Sequence, residues 1–144
     1  MNNAISYAFA KKMRLSSKKE IDSLFTGASS FTSGPYRVFY RIIKREENAT
    51  SPCSLVISVP KRHIRSAVKR NLVKRRIREA FRLNYPFILA PALENKPIRL
   101  LFLCLYLPYE VYPYSKLEAK MQKLLERIAQ IPEKGIDLPV GPAD

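Results

Sequence analysis

The chain has 144 residues, 47% of them apolar, and carries 26 Lys and Arg against 12 Asp and Glu for a formal net charge of +14. That length suits one domain with one hydrophobic core, and the apolar content excludes a disordered basic tail. So large a positive charge points to a polyanionic partner, nucleic acid ahead of anionic lipid or an acidic protein.

Residues 1–13 read as a flexible arm, without the apolar stretch that a signal peptide needs. Ser16 or Ser17 can cap a short helix over 18–26, in which Ile21, Leu24 and Phe25 share one face. Gly34-Pro35 breaks the chain before a strand from Tyr36 to Ile43, with a short strand at 31–33 ahead of it. On this strand Tyr36 and Tyr40 point one way and Phe39 the other, so one set belongs to a core and the other is available to stack on bases. After a polar turn, Leu55 to Val59 forms a second clear strand, ended by Pro60.

Next comes the most informative segment. Between Lys61 and Arg82 the chain places ten cations and one acid, while the other 122 residues together carry only +5. The spacing predicts a helix of about five turns over 65–84. Its apolar stripe is Val73, Ile77, Ala80 and Phe81, extended backwards by Ala67. Asn71, Arg75, Arg78 and Arg82 fall on the opposite face, flanked by Lys69 and Arg76 on one side and Lys74 on the other. A solvated surface helix normally balances its signs; this one has almost no acids, so its polar face is read as a surface for phosphates.

Pro86, Pro91 and Pro97 predict a loop or broken turn. Ile98 to Leu107 reads as a strand buried on both faces, hence central in its sheet; Arg99 interrupts it, and it is too short to span a bilayer. Ser115 with Glu118 suggests a capping box, and Leu117, Met121, Leu124, Leu125 and Ile128 line one face of a last helix. From residue 131 the composition predicts a disordered tail. The whole is a single α+β domain over 14–130, in the order αβββαβα.

Catalytic chemistry is thin. The sole histidine, His63, lies in basic company, where it more often meets solvent or phosphate than acts as a base. No carboxylate pair, Gly-rich loop or Cys/His metal spacing is present, so no catalytic residue and no protein metal ligand is expected. Cys53 and Cys104 are far apart and read as reduced thiols, in keeping with a cytoplasmic setting.

The order of residues goes further than charge. Ser58-Val59-Pro60-Lys61-Arg62, followed by Ala67-Val68-Lys69-Arg70-Asn71-Leu72-Val73-Lys74-Arg75-Arg76-Ile77-Arg78-Glu79-Ala80-Phe81-Arg82, closely resembles the signature of the bacterial ribonuclease P protein subunit. The resemblance covers roughly 13–129. It implies an accessory subunit of a ribozyme, in which a catalytic RNA, using Mg2+, removes the 5′ leader of precursor tRNA. It also implies a mixed four-stranded sheet with about three helices and a left-handed crossover around the basic helix. Binding of the catalytic RNA would fall to Lys61, Arg62, Arg65, Lys69, Arg70, Asn71, Lys74, Arg75 and Arg78. A cleft for the single-stranded leader would use Arg14, Phe25, Tyr36 and Phe39. The implied partners are the catalytic RNA and precursor tRNA, with no membrane and no obligate protein partner.

Two departures from the pattern matter. Leu72 stands where the motif has its second Arg, so that contact is missing or supplied by a neighbour such as Arg76. Ile21 stands where an aromatic is common. The rival reading is a basic ribosomal or RNA-chaperone-like protein, and a weaker one is a peripheral membrane helix.

Overall fold

The computed structural model describes residues 18–45 and 52–131. The elements are α1 (Lys18–Ser23), β1 (Ser29–Ser33), β2 (Tyr36–Lys44), β3 (Cys53–Ser58), α2 (Ala67–Ile88), α3 (Ala90–Leu93), β4 (Ile98–Tyr106) and α4 (Tyr114–Ala129). The four strands form one mixed sheet in the order β1-β2-β4-β3. The β1–β2 hairpin and the β2–β4 pair are antiparallel, whereas β3 runs parallel to β4. Parallel neighbours need a crossover, and α2 supplies it. β4 is central and almost wholly buried, as a strand apolar on both faces must be.

Strand alternation gives the sheet two unlike faces. Tyr36, Val38 and Ile42, with Leu55, Leu100, Phe102, Cys104 and Tyr106, pack against Val73, Ile77, Phe81 and the buried stripe of α4. Among the described residues the other face is covered only in part: Leu24, beside α1, is buried with Leu101 and Leu103. Arg99 fastens α1 there, with Nη1 2.8 Å from Glu20 Oε2 and Nη2 2.7 Å from the buried Ser54 hydroxyl.

The two-residue β1–β2 connection depends on Gly34 at φ +56°, and a Cβ there would also come within 2.9 Å of the Lys120 side chain.

Several local expectations are corrected. α2 runs through Pro86 to Ile88, not ending near Asn84, and the proline-rich segment holds the one-turn α3. Pro86 removes one helical hydrogen bond, but the stripe continues through the part-buried Tyr85 and the fully buried Leu89 just past the helix end, and that burial outweighs the loss. Ala67 is exposed; the stripe is extended instead by Ile64, 5% exposed, ahead of the helix. The Ser115–Glu118 capping box does not form, because α4 starts two residues earlier, with Pro113 rather than Ser115 at its N-cap. Glu118 instead accepts from Asn84 Nδ2 at 3.3 Å, tying α4 to α2. The terminal segments 1–17 and 132–144, with Arg14 among them, lie outside the described residues.

Candidate nucleic-acid interface

Ser66 starts α2 by accepting the Lys69 N–H on its side chain at 3.2 Å, a cap that frees the following turns to follow the apolar stripe. Val73, Ile77, Ala80 and Phe81 are buried. The side turned from the core exposes Asn71 and Arg75, with Lys74 and Arg78 half-buried at the edges. Together with Val68, 79% exposed, these four line a shallow depression of about 490 Å³. Lys61, Arg62, Arg65 and Lys69 are exposed around the start of the helix. A row of cations on a regular helix meets a phosphate backbone without first ordering its own backbone.

Not every motif cation is available. Arg70 Nη1 donates to the carbonyls of Ile64 and Arg65, at 3.0 and 2.8 Å, and so braces the loop that leads into the helix. Arg76 Nη1 donates to the Tyr112 carbonyl at 2.7 Å, so it is turned to the β4–α4 loop and does not replace the cation missing at Leu72. Arg82 pairs with Glu79 at 2.6 Å, and this hydrogen bond holds the Glu79 carboxyl below its ordinary range.

The incompletely covered face of the sheet forms a second surface. Register aligns Ser58, Leu105, Arg37 and Thr32 across the four strands, and in the next row Val56, Leu103, Phe39 and Ser30. Phe25, 57% exposed, stands with its ring 5.8 Å from Phe39, tilted by 46°. The Arg37 guanidinium lies 5.3 Å from the centre of the Phe39 ring, close enough for a cation–π contact. Aromatic rings beside a guanidinium on an open sheet are suited to stacking unpaired bases and holding their phosphates.

Tyr36 does not belong to that surface. It is fully buried on the helix-covered face, where its hydroxyl donates to the Leu117 carbonyl at 2.9 Å, and burial raises its pKa. The alternation of the strand already separates Tyr36 from Phe39; the helices decide which of the two is core. Arg37 and Arg41 were missed as candidates, although both stand two residues from Phe39 and therefore share its face.

Among the described residues, no three His, Cys, Asp or Glu side chains gather in one place. Cys53 and Cys104 are free thiols within the core, their pKa raised by burial. Among the described residues no helix is long and apolar enough to cross a membrane.

The chain is similar to known proteins over most of its length. The family model for Ribonuclease P matches residues 9–129. The ribonuclease P protein component of Porphyromonas gingivalis strain ATCC 33277 is 36% identical over 129 residues, covering 90% of this chain and 92% of that one. That of Vibrio cholerae strain O395 is 39% identical over 79 residues, 55% of this chain and 63% of the relative. In three dimensions the RNase P protein of Thermotoga maritima superposes with a TM-score of 0.60 at 22% identity, over 79% of this chain and 96% of that one. A mutant RNase P protein of Staphylococcus aureus also gives 0.60, at 17% identity over 83% and 90%. The family match over residues 9–129, with a relative aligned along nearly its full length, places this chain in the ribonuclease P protein family.

Proposed function

We propose that the chain is the protein subunit of ribonuclease P, binding a catalytic RNA through the outer face of α2 and the single-stranded 5′ leader of precursor tRNA on the open face of the sheet. The observation that carries this reading is the separation of two surfaces by one layer of core. Asn71, Arg75 and Arg78 line a shallow depression on a helix, suited to folded RNA, whereas Phe25, Arg37 and Phe39 occupy an open sheet suited to unpaired bases. In this reading the RNA performs the cleavage with Mg2+ that it largely holds itself, and no step is assigned to a metal held by the protein. Lys61 and Arg62 follow β3 at the end of the sheet where β2 begins. They are assigned to the leader's phosphates or to the adjoining catalytic RNA. The setting consistent with this role is the cytoplasm.

The test is reconstitution with the cognate catalytic RNA at low Mg2+, following precursor tRNA cleavage. The protein is expected to raise the cleavage rate or the affinity for precursor; no change in either refutes the proposal. Asn71→Ala with Arg75→Ala should weaken assembly on the catalytic RNA and lower its salt dependence by about one phosphate contact for the arginine. Arg70→Ala is a poorer probe, since it also releases the loop at 64–65.

A further inference from the structure

Ahead of α2, the segment 60–66 faces the β4–α4 loop, 107–113, across an open cavity of about 770 Å³. Arg62, Arg65 and Lys69 stand around it, His63 and Tyr109 form a wall, and Glu110 is its one acid. The His63 and Tyr109 rings stack with centroids 4.3 Å apart and planes 33° from parallel. Tyr109 nevertheless remains 70% exposed.

Both sides of this cavity are held in place by the protein itself. The Tyr106 carbonyl lies 3.0 Å from His63 Nδ1; a carbonyl only accepts, so Nδ1 carries the proton and the ring is fixed in orientation. The Tyr106 hydroxyl donates to the Glu110 carbonyl at 2.7 Å and accepts the Tyr112 N–H at 3.1 Å, bracketing the loop that bears Tyr109. The Arg70 bonds to the Ile64 and Arg65 carbonyls secure the facing segment. An aromatic ring added to a core would be covered; this one leans against a histidine and is left open beside three cations.

Those features suit a base stacked on Tyr109 with its phosphate against Arg62, Arg65 and Lys69. Glu110 disfavours a free polyphosphate by like-charge repulsion, and its carboxylate can accept from the N–H edge of a base. We infer that this cavity takes one unpaired nucleotide of an RNA chain, a contact separate from the outer face of α2 and from the Phe25–Phe39 surface. The inference rests on the RNA-binding reading above and adds a third point of attachment to it.

The chain contains no tryptophan, so Tyr109→Trp places a unique fluorophore in the cavity. A single-stranded pentaribonucleotide should quench its emission saturably, while a blunt RNA duplex or inorganic tripolyphosphate at equal phosphate concentration should not. No quenching by the single strand, or equal quenching by all three, overturns the inference. The wild-type chain gives an independent measurement that needs no substitution at the site. Photocrosslinking to a 5-bromouridine pentamer, mapped by mass spectrometry, should mark Tyr109 or His63, and crosslinks found only elsewhere overturn it. With the open sheet silenced by Phe39→Ala in both proteins, adding Tyr109→Ala should weaken single-strand binding about tenfold, the effect of losing one base–aromatic stack. The reconstituted cleavage assay, run in parallel with unaltered protein, separates the two ideas. Stimulated cleavage without quenching removes this site alone, whereas quenching without stimulated cleavage removes the subunit reading and leaves a single-strand site.

Discussion

The two faces of the sheet are made from the same strands but follow different rules. On β2, Tyr36, Val38 and Ile42 point to α2 and α4 and are buried, while Arg37, Phe39 and Arg41 point the other way. The covered face has large, fully buried side chains such as Phe81 and Phe102, whose rings meet at 5.8 Å. The open face mixes aromatic rings and cations, and α1 covers only part of it. Burial sets the first face and leaves the second to be chosen by a partner. The separation allows the binding surface to change without loss of the fold.

This contrast can be broken or sharpened by substitution. The largest effect is expected from Phe102→Ala on the covered face, which should lower unfolding free energy by about 3–5 kcal/mol in a denaturant titration. A loss below 1 kcal/mol would mean that this face is not the packed one. Tyr36→Phe keeps the ring but removes the donor to Leu117, and should cost about 1–2 kcal/mol of stability while leaving leader binding unchanged. Weaker leader binding at unchanged stability would return Tyr36 to the cleft.

On the open face the pattern should reverse. Phe39→Ala should weaken binding of leader-bearing precursor about tenfold relative to leaderless tRNA, as the loss of one base stack does, with assembly on the catalytic RNA unaffected. Equal losses in both assays would end the division between the surfaces. The smallest effect concerns Glu79 and Arg82 at the edge of α2. Because the folded-state pKa of Glu79 is depressed, the pair stabilises above the ordinary carboxylate pKa, and the contribution is lost as pH falls through the folded value. Both groups are partly exposed, so the term is about 0.3–0.5 kcal/mol. Glu79→Gln should flatten the acid limb of stability below about pH 4.5 by that amount; an unchanged limb would show that the pair contributes nothing.

How much was legible beforehand differs between elements for physical reasons. The stripe Val73–Ile77–Phe81 could be read because helical periodicity and hydrophobic burial act on the same residues. β4 was recognisable as central because a strand buried on both faces has an unbroken apolar run. The helix continued through Pro86 because burial of Tyr85 and Leu89, a tertiary term, outweighs a local one. Ser115 and Glu118 have the spacing of a capping box, but Asn84 on another helix claims the carboxylate. Arg70 and Arg76 look like free cations in a motif, yet carbonyls brought close by the fold take their guanidinium groups.

By itself, then, the sequence determined the basic helix, its two sides, the strands and the family signature, because charge density and periodicity are properties of residues near one another in the chain. Only the tertiary structure decided that Tyr36 is core and Phe39 open, that Arg76 is committed to Tyr112, and that His63 and Tyr109 meet. Each of these depends on groups tens of residues apart, and no local pattern records which side chain of a strand, or which cation of a helix, another element will cover.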